Sequence, residues 1–232
     1  PDSGKGDHDQ VNHLPSAATE DYLKAVLESA NLTGKTIVPM GKLAERLKVT
    51  PGTVSVMVKR LAADGLINYQ ARIGCSLTEK GRIIALRTIR RHRVLETFLV
   101  ETLGMDWSSV HEEAERMEHG TSDEVIDRLW EFLGSPLTDP HGSRIPDKEL
   151  NMLQGGKDVR LSEMADNSEG ILSRMSDRSP GLLTVLQEKN LIPGTAFRLT
   201  RQDEAGTVCL ESGGRVLTLA AEVASSLWAC LK

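Results

Sequence analysis

The chain has 232 residues, 39% hydrophobic and 26% charged, with a net charge of −5; that length is generous for one domain and comfortable for two. No run of about eighteen apolar residues occurs, so no membrane span and no membrane partner are expected. With 3% aromatics, the cores must be aliphatic, which favours long helices.

The opening residues, PDSGKGDHDQVNH, lack the apolar core of a signal peptide. Residues 1–16 read as a disordered leader in which His8 and His13 are simply polar. TEDYLKAVLESANL then carries apolar residues at Tyr22, Leu23, Val26, Leu27 and Ala30, which is helical spacing with Thr19 as its N-cap. The run VPMGKLAERLKVTPGTVSVMVKRLAADGLI predicts two helices, Met40 to Leu47 and Pro51 to Ala63, joined by a tight break. Thr50 caps the second, Pro51 takes its first position, and Asp64-Gly65 ends it. LINYQARIGCSLTEKG alternates around a central glycine, the pattern of a hairpin with Arg72 near its tip. Helix, helix, tight turn, helix and basic hairpin make a winged helix-turn-helix over residues 17–80.

In such a unit the N-terminal residues of the second helix of the pair meet base edges in the major groove. Here those are Thr50, Gly52, Thr53, Ser55 and Val56. None is an Arg, Asn or Gln able to make a bidentate base contact, so methyl contacts, bridging water and DNA shape must carry readout. Lys59, Arg60 and Arg72 are the phosphate contacts. Thr50 serves equally well as a cap alone, and Val54, Met57, Val58 and Leu61 are core.

LTEKGRIIALRTIRRHRVLETFLVETLG predicts a long amphipathic helix that starts at Thr78 or Glu79 and stops at Gly104. MDWSSVHEEAERMEHG and SDEVIDRLWEFLG predict two more helices, capped by Ser108 and Ser122. Together they form a helical domain over residues 81–146. From Ser135 the prolines and glycines of SPLTDPHGSRIPDKELNMLQGGKD read as a linker and domain boundary, the linker proper at 147–156. Beyond it, VRLSEM, GILSRM, TAFRLTR, TVCLES and RVLTLA are short strand-like runs around one helix, PGLLTVLQEKN, which fits a small β-barrel over residues 157–232. The three cysteines, Cys75, Cys209 and Cys230, have no zinc spacing and read as reduced thiols of a cytosolic protein. The fold class is thus mainly α with a β C-terminal domain.

The mean charge hides a split. From Thr19 to Arg93 there are 14 Lys/Arg against 6 Asp/Glu, a net +8, and from Val94 to Glu149 there are 4 against 14, a net −10. A basic front suits a polyanion and an acidic middle suits a cation. The densest acidic stretch is HEEAERMEH, residues 111–119. On a helix Glu115, Glu118 and His119 share a face, with His111 one turn before Glu115, while Glu112 and Glu113 point elsewhere. The preceding helix offers His92 and Glu96 at i, i+4. Each residue alone reads as a solvated helix side chain. The whole set, in a chain with six histidines, reads as divalent-metal ligands inside a helix bundle. The pattern is not HExxH, and no catalytic motif appears, so a metal-dependent hydrolase has little support. A metal-independent winged-helix regulator with a solvated acidic helix stays open.

The run TEDYLK…AERLKVTPGTVSVMVKRLAADGLI…LTEKG…RRHRVLETFLVETLGMDWSSVHEEAERMEH…PHGSRIP resembles the metal-dependent repressors of the diphtheria toxin repressor and manganese transport regulator family. The likeness spans about residues 17–146. The C-terminal region is similar to the family's SH3-like, FeoA-type domain. The resemblance implies a cytoplasmic, homodimeric transcriptional repressor that binds a palindromic double-stranded DNA operator when loaded with metal, controls metal-uptake genes and is not an enzyme. It implies a primary site of Asp21, Glu115, Glu118 and His119, and a second site of His92, Glu96 and His111. In the iron-responsive members methionine and cysteine stand at the positions of Asp21 and Glu115. Carboxylates at both favour Mn²⁺, with Fe²⁺, Zn²⁺ or another divalent transition metal as the alternative. The small binuclear manganese regulators carry an acid where Lys24 stands, so their two-metal arrangement is not expected. Asp177 and Glu188 are candidate ligands from the SH3-like domain, against a plainer reading as surface charges.

Overall fold

A computed structural model describes residues 15–152, 158–176 and 180–231. Most of the leader, the linker residues 153–157 and Asp177 lie outside them. The chain divides into two compact units, residues 1–85 and 86–232.

The first unit holds helices α1 (Ala17–Thr33), α2 (Met40–Leu47) and α3 (Pro51–Ala63) and the antiparallel hairpin β1 (Ile67–Gln70) and β2 (Gly74–Leu77). The cap of α1 is Ser16, whose hydroxyl accepts from the Thr19 amide; Thr19 itself sits inside the helix, three residues after its cap. Ser16 is the better placed because an N-cap oxygen must reach the amide two or three residues on. Thr50 caps α3 as its position before Pro51 requires, accepting from the Thr53 amide. Leu23, Leu43, Val54, Val58 and Leu61 are fully buried, one apolar stripe from each helix. A third segment joins the hairpin through a bridge between Val38 and Cys75. A Cβ on Gly74 would stand 2.3 Å from the Val38 carbonyl oxygen, so this close approach requires glycine. Arg72 takes φ 64 in the hairpin turn, at the wing tip.

The long helix α4 (Glu79–Glu101) begins in the first unit and continues into the second. Thr78 accepts from the Gly81 amide at its start, and Gly104, with φ 66, follows its end. In the second unit α5 (Val110–Glu118) and α6 (Asp123–Phe132) pack on α4 around Val94, Leu95, Leu99, Val110, Ala114, Ile126 and Ile145. Ser122 caps α6. The N-cap of α5 is Ser109 rather than Ser108, with no side-chain cap bond. Ser108 is engaged one turn earlier, where the Asp106 carboxylate accepts from its amide at 2.8 Å.

The segment SPLTDPHGSRIP, which reads as linker, is fastened to the helices instead. Trp130 Nε1 donates to the Pro136 carbonyl, Arg90 to the Pro146 carbonyl at 2.6 Å, and Arg93 to the Arg144 carbonyl. Ile145 joins the helical core. One oxygen of the buried Asp139 carboxylate accepts from the amides of His141 and Ser143, both at 2.9 Å, and so closes a tight loop. Prolines and glycines hide such packing because it has no period for the sequence to display.

The C-terminal part is one antiparallel sheet of six strands in the order β3-β8-β4-β5-β6-β7. These are β3 (Asp158–Arg160), β4 (Glu169–Met175), β5 (Ala196–Gln202), β6 (Val208–Ser212), β7 (Arg215–Leu219) and β8 (Leu227–Leu231). The run VRLSEM is only half strand, since residues 161–163 form a 3-10 turn. Helix α7 (Pro180–Glu188) and the short α8 (Ala221–Ala224) cover a core of Leu161, Leu172, Leu183, Leu186, Leu191, Leu199, Leu210 and Leu227. Strand β8 goes unread in the sequence, yet it lies between β3 and β4 and pairs with both.

Candidate metal centre and DNA-binding surface

Helix α4 places His92 and Glu96 one turn apart, and α5 brings His111 and Glu118 against them. His92 Nε2 is 3.0 Å from Glu96 Oε1 and 3.0 Å from His111 Nδ1, and His111 Nδ1 is 3.2 Å from Glu96 Oε1. The other nitrogen of His92 is 2.6 Å from Glu118 Oε2. The i, i+4 argument accounts for His92 and Glu96 on α4, and His111 meets them from α5, in the grouping that the resemblance implies. It does not foresee that Glu118 reaches into the same group.

Two residues missed in the sequence complete the cluster. His141 Nδ1 stands 3.6 Å from Glu96 Oε2. Glu96, Asp139 and His141, all buried, each offer a ligand atom within 4.8 Å of the others, as do His92, Glu96 and His111. The available signal was DPH at the start of DPHGSRIP, an acid and an imidazole two apart beside a glycine. Glu115 is half exposed, with Oε1 3.4 Å from His111 Nε2. His119 falls at the C-cap of α5, its Nε2 3.6 Å from Glu118 Oε1. Asp21 lies on α1 in the first unit. Glu188 is exposed at the end of α7. Glu112 and Glu113 point outward to Arg116.

Glu96 is the centre of this group and has no exposed surface. Burial by itself pushes its carboxyl up. The attraction of His92 and hydrogen bonds from His111 and His92 outweigh that and hold it well below the usual carboxylate range. Glu96 is therefore an anion sealed in protein, and its neighbours Glu118 and Asp139 are buried as well. Burying three carboxylates beside three imidazoles is costly unless cationic charge is supplied.

The residues fit a divalent ion. All donors are carboxylate oxygens or imidazole nitrogens, with no sulfur among them. Adjacent ligand atoms on an octahedral shell with bonds of about 2.1 Å lie roughly 3 Å apart, which is the spacing of the His92, Glu96 and His111 atoms.

The second surface is on the first unit. Thr50, Gly52, Thr53, Val56, Lys59 and Arg60 are exposed along α3, and Arg72 is exposed at the wing. Ser55 is half-buried and donates to the Pro51 carbonyl. The hydroxyls of Thr50 and Thr53 hydrogen-bond each other at 2.9 Å, so both are partly committed to the cap. Val56 is 73% exposed, a high value for a branched apolar residue in mid-helix.

Comparison with known proteins gives the same division of labour. Residues 16–75 match the profile described as the N-terminal DNA-binding domain of iron-dependent repressors. Residues 78–147 match that family's metal-binding and dimerisation domain, and 159–229 the FeoA domain. The iron-dependent repressor IdeR of Mycobacterium tuberculosis is 32% identical over 194 residues, which is 82% of this chain and 80% of the relative. The diphtheria toxin repressor of Corynebacterium glutamicum is 40% identical over 129 residues, 55% of each chain. Among solved structures, a manganese-dependent transcriptional repressor in complex with manganese has a TM-score of 0.85 at 32% identity, covering 92% of this chain and 100% of that one. ScaR with bound Zn²⁺ has a TM-score of 0.79 at 32% identity, covering 93% and 99%.

Proposed function

The chain belongs to the family of iron-dependent repressors, metal-dependent DNA-binding regulators that are not enzymes, and from that premise we propose that it is a homodimeric, Mn²⁺-activated repressor of metal-uptake genes. It would act in the cytoplasm on a palindromic operator. The observation that carries the metal assignment is the sulfur-free donor set of Glu96, His92, His111, Glu118, Asp139 and His141, gathered in a buried cluster. Oxygen and imidazole donors suit Mn²⁺ better than a thiolate-containing set would. The other set, Asp21 with Glu115, Glu118 and His119, enters this proposal on the resemblance of the sequence alone, and it too is free of sulfur. Fe²⁺ or Zn²⁺ in place of Mn²⁺ is the alternative, because affinity alone rises toward the later metals.

The chemistry supplied by a bound cation is charge neutralisation among buried acids. The rest is done by the chain. Glu96 and Glu118 hold α4 and α5 together through His92. Glu118 also belongs to the set implied with Asp21, so one side chain takes part in both. Val56 and the threonines of α3 meet bases by shape and methyl contact, while Lys59, Arg60 and Arg72 meet phosphates. DNA selects the metal-loaded arrangement, and by linkage DNA tightens metal binding by the same factor.

The test is fluorescence anisotropy of the chelated protein on a promoter fragment carrying a palindrome, with Mn²⁺, Fe²⁺ (anaerobic) and Zn²⁺ added in turn. Mn²⁺ should induce binding at the lowest free concentration, and Glu118→Ala with His119→Ala should abolish the response. Equal binding under chelation overturns the metal reading. A lower threshold for Fe²⁺ or Zn²⁺ overturns the choice of manganese.

A further inference from the structure

His141 is held from two directions, by strand β4 of the C-terminal sheet and by the turn before α5. On one side, Met175 on β4 donates its amide to the His141 carbonyl at 3.0 Å. The next residue, Gly142, has φ +83, and a Cβ there would stand 2.0 Å from the Ser173 carbonyl oxygen of the same strand. Strand β4 is irregular at this point, its register shifting between Leu172 and Arg174. On the other side lies the turn before α5. His141 Nε2 is 2.8 Å from the Trp107 carbonyl oxygen. A carbonyl only accepts, so Nε2 carries the hydrogen, and in the neutral ring Nδ1 carries the lone pair. Nδ1 is the atom turned toward Glu96.

The same tryptophan is anchored elsewhere. Its indole lies 5.4 Å from the His141 ring, tilted by 38°, and packs against the core of the C-terminal sheet. Beside it, the Ser108 hydroxyl accepts from Thr184 on α7 at 3.3 Å. Asp106 ties the turn from within, through the Ser108 amide. The turn 106–108 therefore touches three things: His141 by a backbone carbonyl, the C-terminal core by an indole, and α7 by a hydroxyl.

We propose that Trp107 is a positioning residue for His141, through which docking of the C-terminal sheet sets the metal affinity of the Glu96, Asp139 and His141 group. The proposal rests on the metal reading above. A ligating histidine that donates its second nitrogen to a backbone carbonyl is fixed in tautomer and ring orientation, and loss of such a partner costs about 10- to 100-fold in metal affinity. Here the carbonyl stays in place because the half-buried side chain on the same residue packs against the core of another fold. The C-terminal sheet thus governs the site through Trp107 and Gly142, as a clamp on a ligand.

The test uses the full chain, with Co²⁺ as spectroscopic probe and Mn²⁺ for affinity, on wild type, Trp107→Ala, Trp107→Phe and Thr184→Val. Circular dichroism and thermal unfolding of the metal-free proteins establish that each variant folds. If Trp107→Ala does not, Phe and Val carry the comparison. The expected result is a change in the visible Co²⁺ bands of Trp107→Ala together with about tenfold weaker Mn²⁺ binding at one site. Recovery in Trp107→Phe and an intermediate loss in Thr184→Val should accompany it. Unchanged Co²⁺ bands and Mn²⁺ affinity in the folded variants overturn the role of Trp107 while leaving the metal site standing. Absence of Co²⁺ and Mn²⁺ binding by wild type overturns the metal reading itself.

Discussion

Glu96 shows how one residue gathers a site. Its carboxylate is buried, ionised and shared among His92, His111 and His141. Glu96→Gln keeps the shape and removes the charge. It should weaken metal binding at least tenfold, and the stabilisation conferred by excess Mn²⁺ should fall by about 1.4 kcal/mol for each tenfold lost. Thermal unfolding with and without Mn²⁺ reads this directly, and an unchanged metal-induced shift would count against Glu96 as a ligand. Cys75 makes a separate case. Burial pushes its thiol from 9.0 up to about 11. At pH 8 roughly one molecule in a thousand then carries the thiolate. Iodoacetamide should therefore spare Cys75 in the folded chain and modify it only after unfolding. The sign for stability follows from the same shift. The unfolded chain loses this proton first, so the contribution is intact below pH 9 and declines as pH rises toward about 11. A Cys75→Ala variant should lack that part of the alkaline decline, and identical alkaline unfolding curves would refute it.

Elements were legible where period or punctuation marked them. The bounds of α2 and α3 follow from apolar spacing, a Thr-Pro start and an Asp-Gly stop, and they match residue for residue. The pair His92 and Glu96 was legible for the same reason, since helical period puts them on one face of α4, whereas the grouping of His111 with them came from the family resemblance and not from period. Asp139 and His141 were not, because they sit on a loop whose position depends on Arg90, Arg93 and Trp130 holding backbone carbonyls. Periodicity does not encode such contacts. Strand β8 was missed because LWACL is a short apolar run that neither alternates nor carries turn residues. The loop itself yields a prediction. Gly142→Ala adds a Cβ where a backbone oxygen stands, at a left-handed φ. The cost should be at least about 2 kcal/mol, since strain and a backbone clash add. Urea unfolding of the metal-free chain measures it, and a loss under about 0.5 kcal/mol would show that β4 yields easily. Thr50→Ala, by contrast, removes one cap oxygen from α3 and should cost about 1 kcal/mol. Because Thr50 also faces outward at the start of α3, the same variant separates cap from contact. A drop in DNA affinity beyond what the stability loss explains marks a direct contact.

At the scale of the whole molecule, the proposed function gives the basic stretch from Thr19 to Arg93 and the buried cluster around Glu96 opposite electrostatic tasks, and salt separates them. Each phosphate neutralised by a lysine or arginine releases condensed counterions, so the logarithm of DNA affinity falls with the logarithm of salt at about 0.9 per contact. Lys59, Arg60 and Arg72, the phosphate contacts of the proposed function, are exposed on α3 and the wing of one chain. In a homodimer on two half-sites every one of them acts twice. Lys59→Ala should therefore reduce the salt slope of Mn²⁺-loaded protein by about 1.8, whereas a single chain on DNA gives about 0.9. Anisotropy titrations from roughly 50 to 200 mM salt distinguish the two values, and light scattering of the free protein gives the stoichiometry independently against a chain mass of 25.4 kDa. The buried cluster should respond differently. Glu96 and its histidines are shielded from mobile ions, so Mn²⁺ affinity should change far less with salt than DNA affinity does. Parallel slopes for the two would mean that the acids bind their cation at an exposed surface, contrary to the burial of Glu96, Glu118, Asp139 and His141.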